Sequence, residues 1–127
     1  MTIEAKHRAN GLFGVVRTSW NDVPADEDGQ VIFIPNHADK TLDVWGTFAG
    51  ATAVFQACND DRAISASPAE RALVSWKTLK DVDGDSCSFT AVPNKLYTIH
   101  PNAYYMRMLV TGGDGTTSIT FSLTSRL

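Results

Sequence analysis

Between Thr117 and Thr124 the chain alternates short hydroxyl residues with large apolar ones, so that Ile119, Phe121 and Leu123 share one side while Ser118, Thr120, Ser122 and Thr124 share the other. A period of two is what a strand with one buried face requires; a helix, whose faces recur every ~3.6 residues, cannot use it. Just upstream, Tyr104 to Val110 repeats the pattern, placing Tyr104, Met106, Met108 and Val110 together and turning Arg107 away from them. Gly112, Gly113 and Gly115 lie between the two runs and supply the positive-φ positions of a tight connection. The last quarter of the chain is therefore expected to form an antiparallel hairpin.

The same reading extends towards the N-terminus. Leu12 to Thr18 is rich in β-branched residues, and Val31 to Ile34 is a continuous apolar run stopped by Pro35, consistent with a strand buried on both sides. Thr41 to Phe48 alternates with Leu42, Val44 and Phe48 inward, which leaves Asp43, Trp45 and Thr47 outward. After a turn at Ala49-Gly50, Ala51, Ala53 and Phe55 share a core side. Further short strands are expected at Val74–Leu79, Ser86–Thr90 and Leu96–Ile99. One segment breaks the pattern: Ser67-Pro68-Ala69-Glu70 offers an N-cap serine, a first-turn proline and a capping-box glutamate, hence one or two helical turns. Short strands separated by Gly, Pro, Asn and Asp predict an all-β fold, an antiparallel β-sandwich of jelly-roll-like or Ig-like form with eight to nine strands and one short helical insertion. Residues 1–10 are polar and aperiodic, so they read as a flexible arm preceding a single domain over 11–127.

A chain of 127 residues can bury a core without disulfides or a metal, and 43% hydrophobic against 20% charged residues is a globular balance. The net charge of −3, with basic residues scattered, provides no footprint for nucleic acid. No apolar run approaches the ~20 residues that cross a bilayer, so no membrane partner is expected. Cys58 and Cys87 read as reduced, partly buried thiols in a chain without an export signal.

Few segments suggest chemistry. Asp81-Val82-Asp83-Gly84-Asp85 alternates carboxylates as a calcium loop does, but Gly84 falls at the fourth position and Val92 at the twelfth, where an EF-hand needs glycine at the sixth and a carboxylate at the twelfth. A turn with solvated acids accounts for the same letters. His7, His37 and His100 show no metal-ligand spacing, and no nucleophile elbow or phosphate loop is present. No catalytic residue, metal or cofactor is therefore assigned. Trp45 stands out, because an outward-facing indole suits a subunit contact or a platform for a sugar ring.

The segments Trp45-Gly46-Thr47-Phe48-Ala49-Gly50-Ala51-Thr52-Ala53-Val54-Phe55-Gln56-Ala57, Trp76-Lys77-Thr78-Leu79 with its following Asp-Gly turn, and Tyr105 to Gly113 with Thr116 to Thr120 together resemble the small β-sandwich virion proteins of tailed bacteriophages. The layout is also similar to discoidin-like carbohydrate-binding sandwiches, except that Arg62 to Leu73 stands where those have a short turn. The resemblance implies a non-enzymatic structural protein of the virion, made in the host cytoplasm, decorating or cementing the capsid. Its partners would be the major capsid protein or another virion protein, and copies of itself as a homo-oligomer, by analogy a trimer. The expected contact residues are Asp43, Trp45 and Thr47 on the outward strand face, Arg107, and Ile3, His7 and Arg8 of the arm. The alternatives are an adhesion module that stacks a sugar on Trp45, or another head-tail or tail structural component.

Overall fold

The structure, a computed structural model, describes residues 2–10, 14–34, 38–100 and 105–126. Its strands are β1 (Ala5–Asn10), β2 (Val15–Val23), β3 (Ile32–Phe33), β4 (Ala38–Thr47), β5 (Thr52–Cys58), β6 (Lys77–Thr78), β7 (Lys80–Asp81), β8 (Ser88–Phe89), β9 (Tyr97–His100), β10 (Tyr105–Thr111) and β11 (Ser118–Arg126). They form a six-stranded sheet in the order β1-β2-β11-β4-β9-β7 and a five-stranded sheet in which β3-β10-β5-β6 are neighbours and β8 also pairs β5. All the strand pairings are antiparallel. The β-sandwich expected from the alternation is what forms, with eleven strands in place of eight or nine, because several pieces are only two residues long and because the N-terminal segment is itself a strand.

Inward-facing residues of both sheets make one apolar cluster. Trp20, Leu42, Val44, Phe55, Met106, Met108, Val110, Ile119, Phe121 and Leu123 are all essentially inaccessible within it. Aromatic rings tie the layers together: Phe55 lies edge-on to Trp20 at 5.8 Å and stacks on Phe121 at 6.2 Å, a geometry that adds about 0.5–1.5 kcal/mol per pair beyond area burial. The inward sets expected on Thr41–Phe48, Ala51–Phe55 and Met106–Val110 are the buried ones.

Four expectations are corrected. The hairpin expected of the last quarter of the chain does not form: β10 pairs with β5 and β3, whereas β11 lies in the other sheet between β2 and β4. Gly112–Thr117 carries the chain over the rim of the sandwich, so the apolar faces of the two strands look at each other across the core. The turn at Phe48–Ala51 makes the same crossing from β4 to β5, and the two arches are locked by Thr117 Oγ1 donating to the Phe48 carbonyl at 3.0 Å. Period two fixes which side chains face inward, but it is equally satisfied by a hairpin and by an arch.

The expected arm is ordered as β1, which pairs with β2 from Ala5↔Trp20 to Asn10↔Val15, and Ile3 bridges Gly29. Ala5 fits into the core cluster, which explains why a mostly polar segment is held. Val31–Ile34 is not buried on both sides: β3 is an edge strand, with Ile32 inward and Phe33 56% exposed. The acidic segment 21–29, whose Pro, Gly and repeated Asp read as a loop, instead continues β2 as far as Val23 and then runs beside β10, where Gly29 N donates to Met108 O and Val110 N to Glu27 O. The capping-box serine does cap α1 (Pro68–Arg71), accepting from Glu70 N, but the Glu70 carboxylate receives the Ser65 hydroxyl at 2.6 Å and Ser65 Oγ takes the Ser67 N–H. The box is closed through a third residue. Among the described residues no helix is long and apolar enough to cross a membrane.

Candidate interface and ligand cleft

Two outward surfaces are built by the sandwich, one on each sheet. On the six-stranded sheet, β4 presents Asp43, Trp45 and Thr47, as its alternation predicts. Trp45 is 38% exposed. Register places Thr120 beside Trp45 and Ser122 beside Asp43 on β11, and Arg17 on β2 opposite both Arg8 on β1 and Thr124 on β11. The Arg17 guanidinium reaches across this face: its Nε donates to Ser122 Oγ at 2.8 Å and its carbon lies 5.8 Å from the Trp45 ring centroid. Thr120 and Ser122 are thereby buried although they face outward. The result is a broad sheet face with an indole and a guanidinium in contact, the two side-chain types that most often anchor protein interfaces.

Of the expected contact residues, Asp43, Trp45, Thr47 and Arg8 share this face. Ile3, His7 and Arg107 do not. Ile3 packs against the core; His7 points to the inner side of its sheet, with Nδ1 2.7 Å from Thr18 Oγ1; and Arg107 lies outward on the five-stranded sheet. Arg17 was missed, since nothing local in Val15–Thr18 reveals that a residue 28 positions away would be its ring partner.

The outer side of the five-stranded sheet is partly covered by the segment 59–76, which includes a 3-10 turn at Asp61–Ile64 and α1. Tyr105 anchors it from below, its hydroxyl donating to Asp61 Oδ1 at 2.7 Å, and this bond to a carboxylate raises the phenol to about 12. Between the insertion and the sheet lies a cleft of about 570 Å³. Its floor is Arg107, whose guanidinium stacks 4.4 Å from the centroid of the Trp76 ring and whose Nε donates to Gln56 Oε1 at 3.0 Å. Asp28 is the nearest carboxylate, 4.0 Å from Arg107, too far for a hydrogen bond. Burial lowers the Arg107 pKa, although a guanidinium stays charged at any ordinary pH. Arg71 borders the same cleft, held by its bond to the Ser65 carbonyl at 2.6 Å.

The acidic turn is different from either surface. Asp81, Asp83 and Asp85 bring carboxylate oxygens within 4.8 Å of one another, and the Lys95 ammonium sits among them at 2.8, 3.6 and 2.5 Å. Asp81 is buried, and its Oδ1 also accepts the N–H groups of Asp83 and Asp85. A lysine thus takes the place that a cation would take in a calcium loop. Two of the acids are solvated as expected, and the third is not.

This cluster has a pH signature. The Lys95 hydrogen bond holds the Asp81 carboxyl below the usual range, and the bonds to Asp81 and Asp85 hold the Lys95 ammonium above its own. A depressed carboxyl stabilises the fold above the unfolded value of about 3.9 and loses that contribution as the pH falls through the folded value; a raised ammonium stabilises below about 10.4 and loses it as the pH rises further. The pair contributes fully between about pH 4 and 10. Lys95→Met is expected to lower Tm throughout that window and to approach wild type below it, as protonation relieves the unpaired Asp81. Thermal melts at pH 3, 5, 7 and 9 check this, and a pH-independent gap would contradict it.

Neither thiol is activated. Burial pushes Cys87 up to about 12 and raises Cys58 as well. Cys58 faces outward from β5 whereas Cys87 is in the core cluster, so the two are free and aimed at different sides of the sheet. His37 and Tyr104 lie outside the described residues. No protein-family model, curated protein or solved structure matches the chain.

Proposed function

We propose that this chain is a virion structural protein of a tailed bacteriophage, decorating or cementing the capsid by binding at subunit junctions through the outer face of its six-stranded sheet. The observation that supports a protein partner is the Trp45–Arg17 pair, set on a wide sheet face beside Arg8, Asp43 and Thr47. A sugar site needs a concave pocket with polar groups converging beside the ring. The cleft between the insertion and the five-stranded sheet is not lined by Trp45. The virion assignment itself rests on the sequence resemblance, and self-association as a trimer rests on analogy with such proteins.

A cement protein must add buried area across subunit contacts that resist the pressure of packaged DNA, and a face of this kind does so at standard interface size, about 800 Å² per partner. Trp45→Ala is expected to weaken co-sedimentation with particles lacking this chain by at least tenfold, since central aromatic anchors contribute about 2 kcal/mol or more. Arg17→Ala should act in the same direction, while Leu73→Ala, an exposed residue of the insertion over the other sheet, should bind as wild type. Equal binding by all three variants would sink the assignment of this face.

A further inference from the structure

We infer that the cleft floored by Arg107 and Trp76 is a binding site for an acidic sugar, a pyranose bearing a carboxylate. This goes beyond the capsid reading and rests on different residues. Arg107 lies at the cleft floor with its side chain only 21% exposed, yet among the described residues only its Nε has a hydrogen-bond acceptor. Among the described residues no buried side-chain nitrogen or oxygen lacks a partner, so the remaining N–H donors of Arg107 keep contact with solvent beside the cleft it lines. A guanidinium offers two parallel N–H groups that match a carboxylate fork, and partial desolvation strengthens that pairing.

The surroundings define the rest of the ligand. Arg71 at the rim gives the cleft two guanidiniums against the single carboxylate of Asp28, an excess of one positive charge among the lining residues. Trp76, Ile64 and Ala72 offer apolar surface for a ring face, whereas Asp28, Gln30 and Ser65 offer acceptors and donors for hydroxyls. Asp28 would repel a phosphate dianion more than a monovalent carboxylate, and it can accept a sugar hydroxyl. The size fits as well, since small-molecule sites run from about 300 to 1,000 Å³.

Titration of the ¹⁵N-labelled chain with galacturonate and with glucuronate tests the inference, with methyl galactoside and inorganic phosphate as comparison probes. The expected result is saturable shifts of the amides of Arg107, Gly29, Gln30 and Ala72 by a uronate at millimolar concentrations. Arg107→Gln and the rim variant Arg71→Gln should each weaken it by fivefold or more, and because Arg71 is exposed its replacement leaves folding intact. Absence of shifts at these amides with either uronate would overturn the site. An equal response to methyl galactoside, or a stronger one to phosphate, would overturn the ligand class.

Discussion

Replacing Gly46 with alanine is expected to destabilise the fold by about 3 kcal/mol or more, a large part of the 5–15 kcal/mol that holds a domain of this size. Gly46 sits in β4 opposite Ile119 with φ +127, a conformation that side chains other than hydrogen rarely adopt. Space compounds the strain. A Cβ built on Gly46 would collide with the backbone carbonyl oxygen of Ser118 and would crowd the Ile119 Cα, atoms that belong to the paired strand and cannot swing aside. The ladder between β4 and β11 must open locally to admit it. Because Trp45 is the preceding residue, the same change should also displace the indole from Arg17. Urea unfolding of Gly46→Ala, with the m-value unchanged, gives the stability loss; an unfolding midpoint within error of wild type would contradict the φ and the register.

The second large effect is expected at Trp20. Its side chain is fully inaccessible, lies edge-on to Phe55 and donates its Nε1–H to the Gln30 carbonyl at 3.0 Å. Gly29 presses so close to the indole that an added Cβ would lie 2.6 Å from the Trp20 ring. Trp20→Ala removes this contact surface, leaves a cavity between the sheets and strands the Gln30 carbonyl, for a loss of about 3–5 kcal/mol. Trp20→Phe keeps much of the volume and should recover more than half of it. The segment after Asp28 depends on the indole, so hydrogen exchange at Gly29 and Gln30 should rise in the alanine variant before global unfolding does. Protection there equal to wild type would show that the segment is held by its backbone bonds to β10 and to Ile3 alone.

Which side chains point inward was legible from sequence wherever a strand has one wet face. Leu42, Val44 and Phe48, then Ala51, Ala53 and Phe55, then Met106, Met108 and Val110 all lie where alternation places them. The Ser67-Pro68 start of α1 was equally clear, because a cap is a local device. Pairing was less legible. Two adjacent strands with apolar faces read as a hairpin, and the crossing is fixed instead by distant partners: β10 pairs with β5, β11 pairs with β2 and β4, and Thr117 bonds Phe48 across 69 residues of chain. The N-terminal strand was missed because its buried contribution is a single alanine among polar residues.

Trp45 was visible as an outward indole, but its partner Arg17 is not encoded locally. The cleft was invisible for the same reason: Asp28, Arg71 with Trp76, and Arg107 come from three separate segments, and each residue alone has an ordinary explanation as a loop acid, a helix end, a rim aromatic and an outward strand residue. Lys95 and Asp81, 14 residues apart, make the point for electrostatics: the acid spacing suggested a cation, and the cation is the chain's own.

The assignment of this chain to a capsid surface is tested most directly by cryo-EM reconstruction of particles purified with the chain present. Density for the sandwich is expected at capsid subunit junctions, with the outer face of the six-stranded sheet against the shell and Trp45 and Arg17 covered. Particles that carry no such density, or that hold the chain with this face turned to solvent, would contradict it.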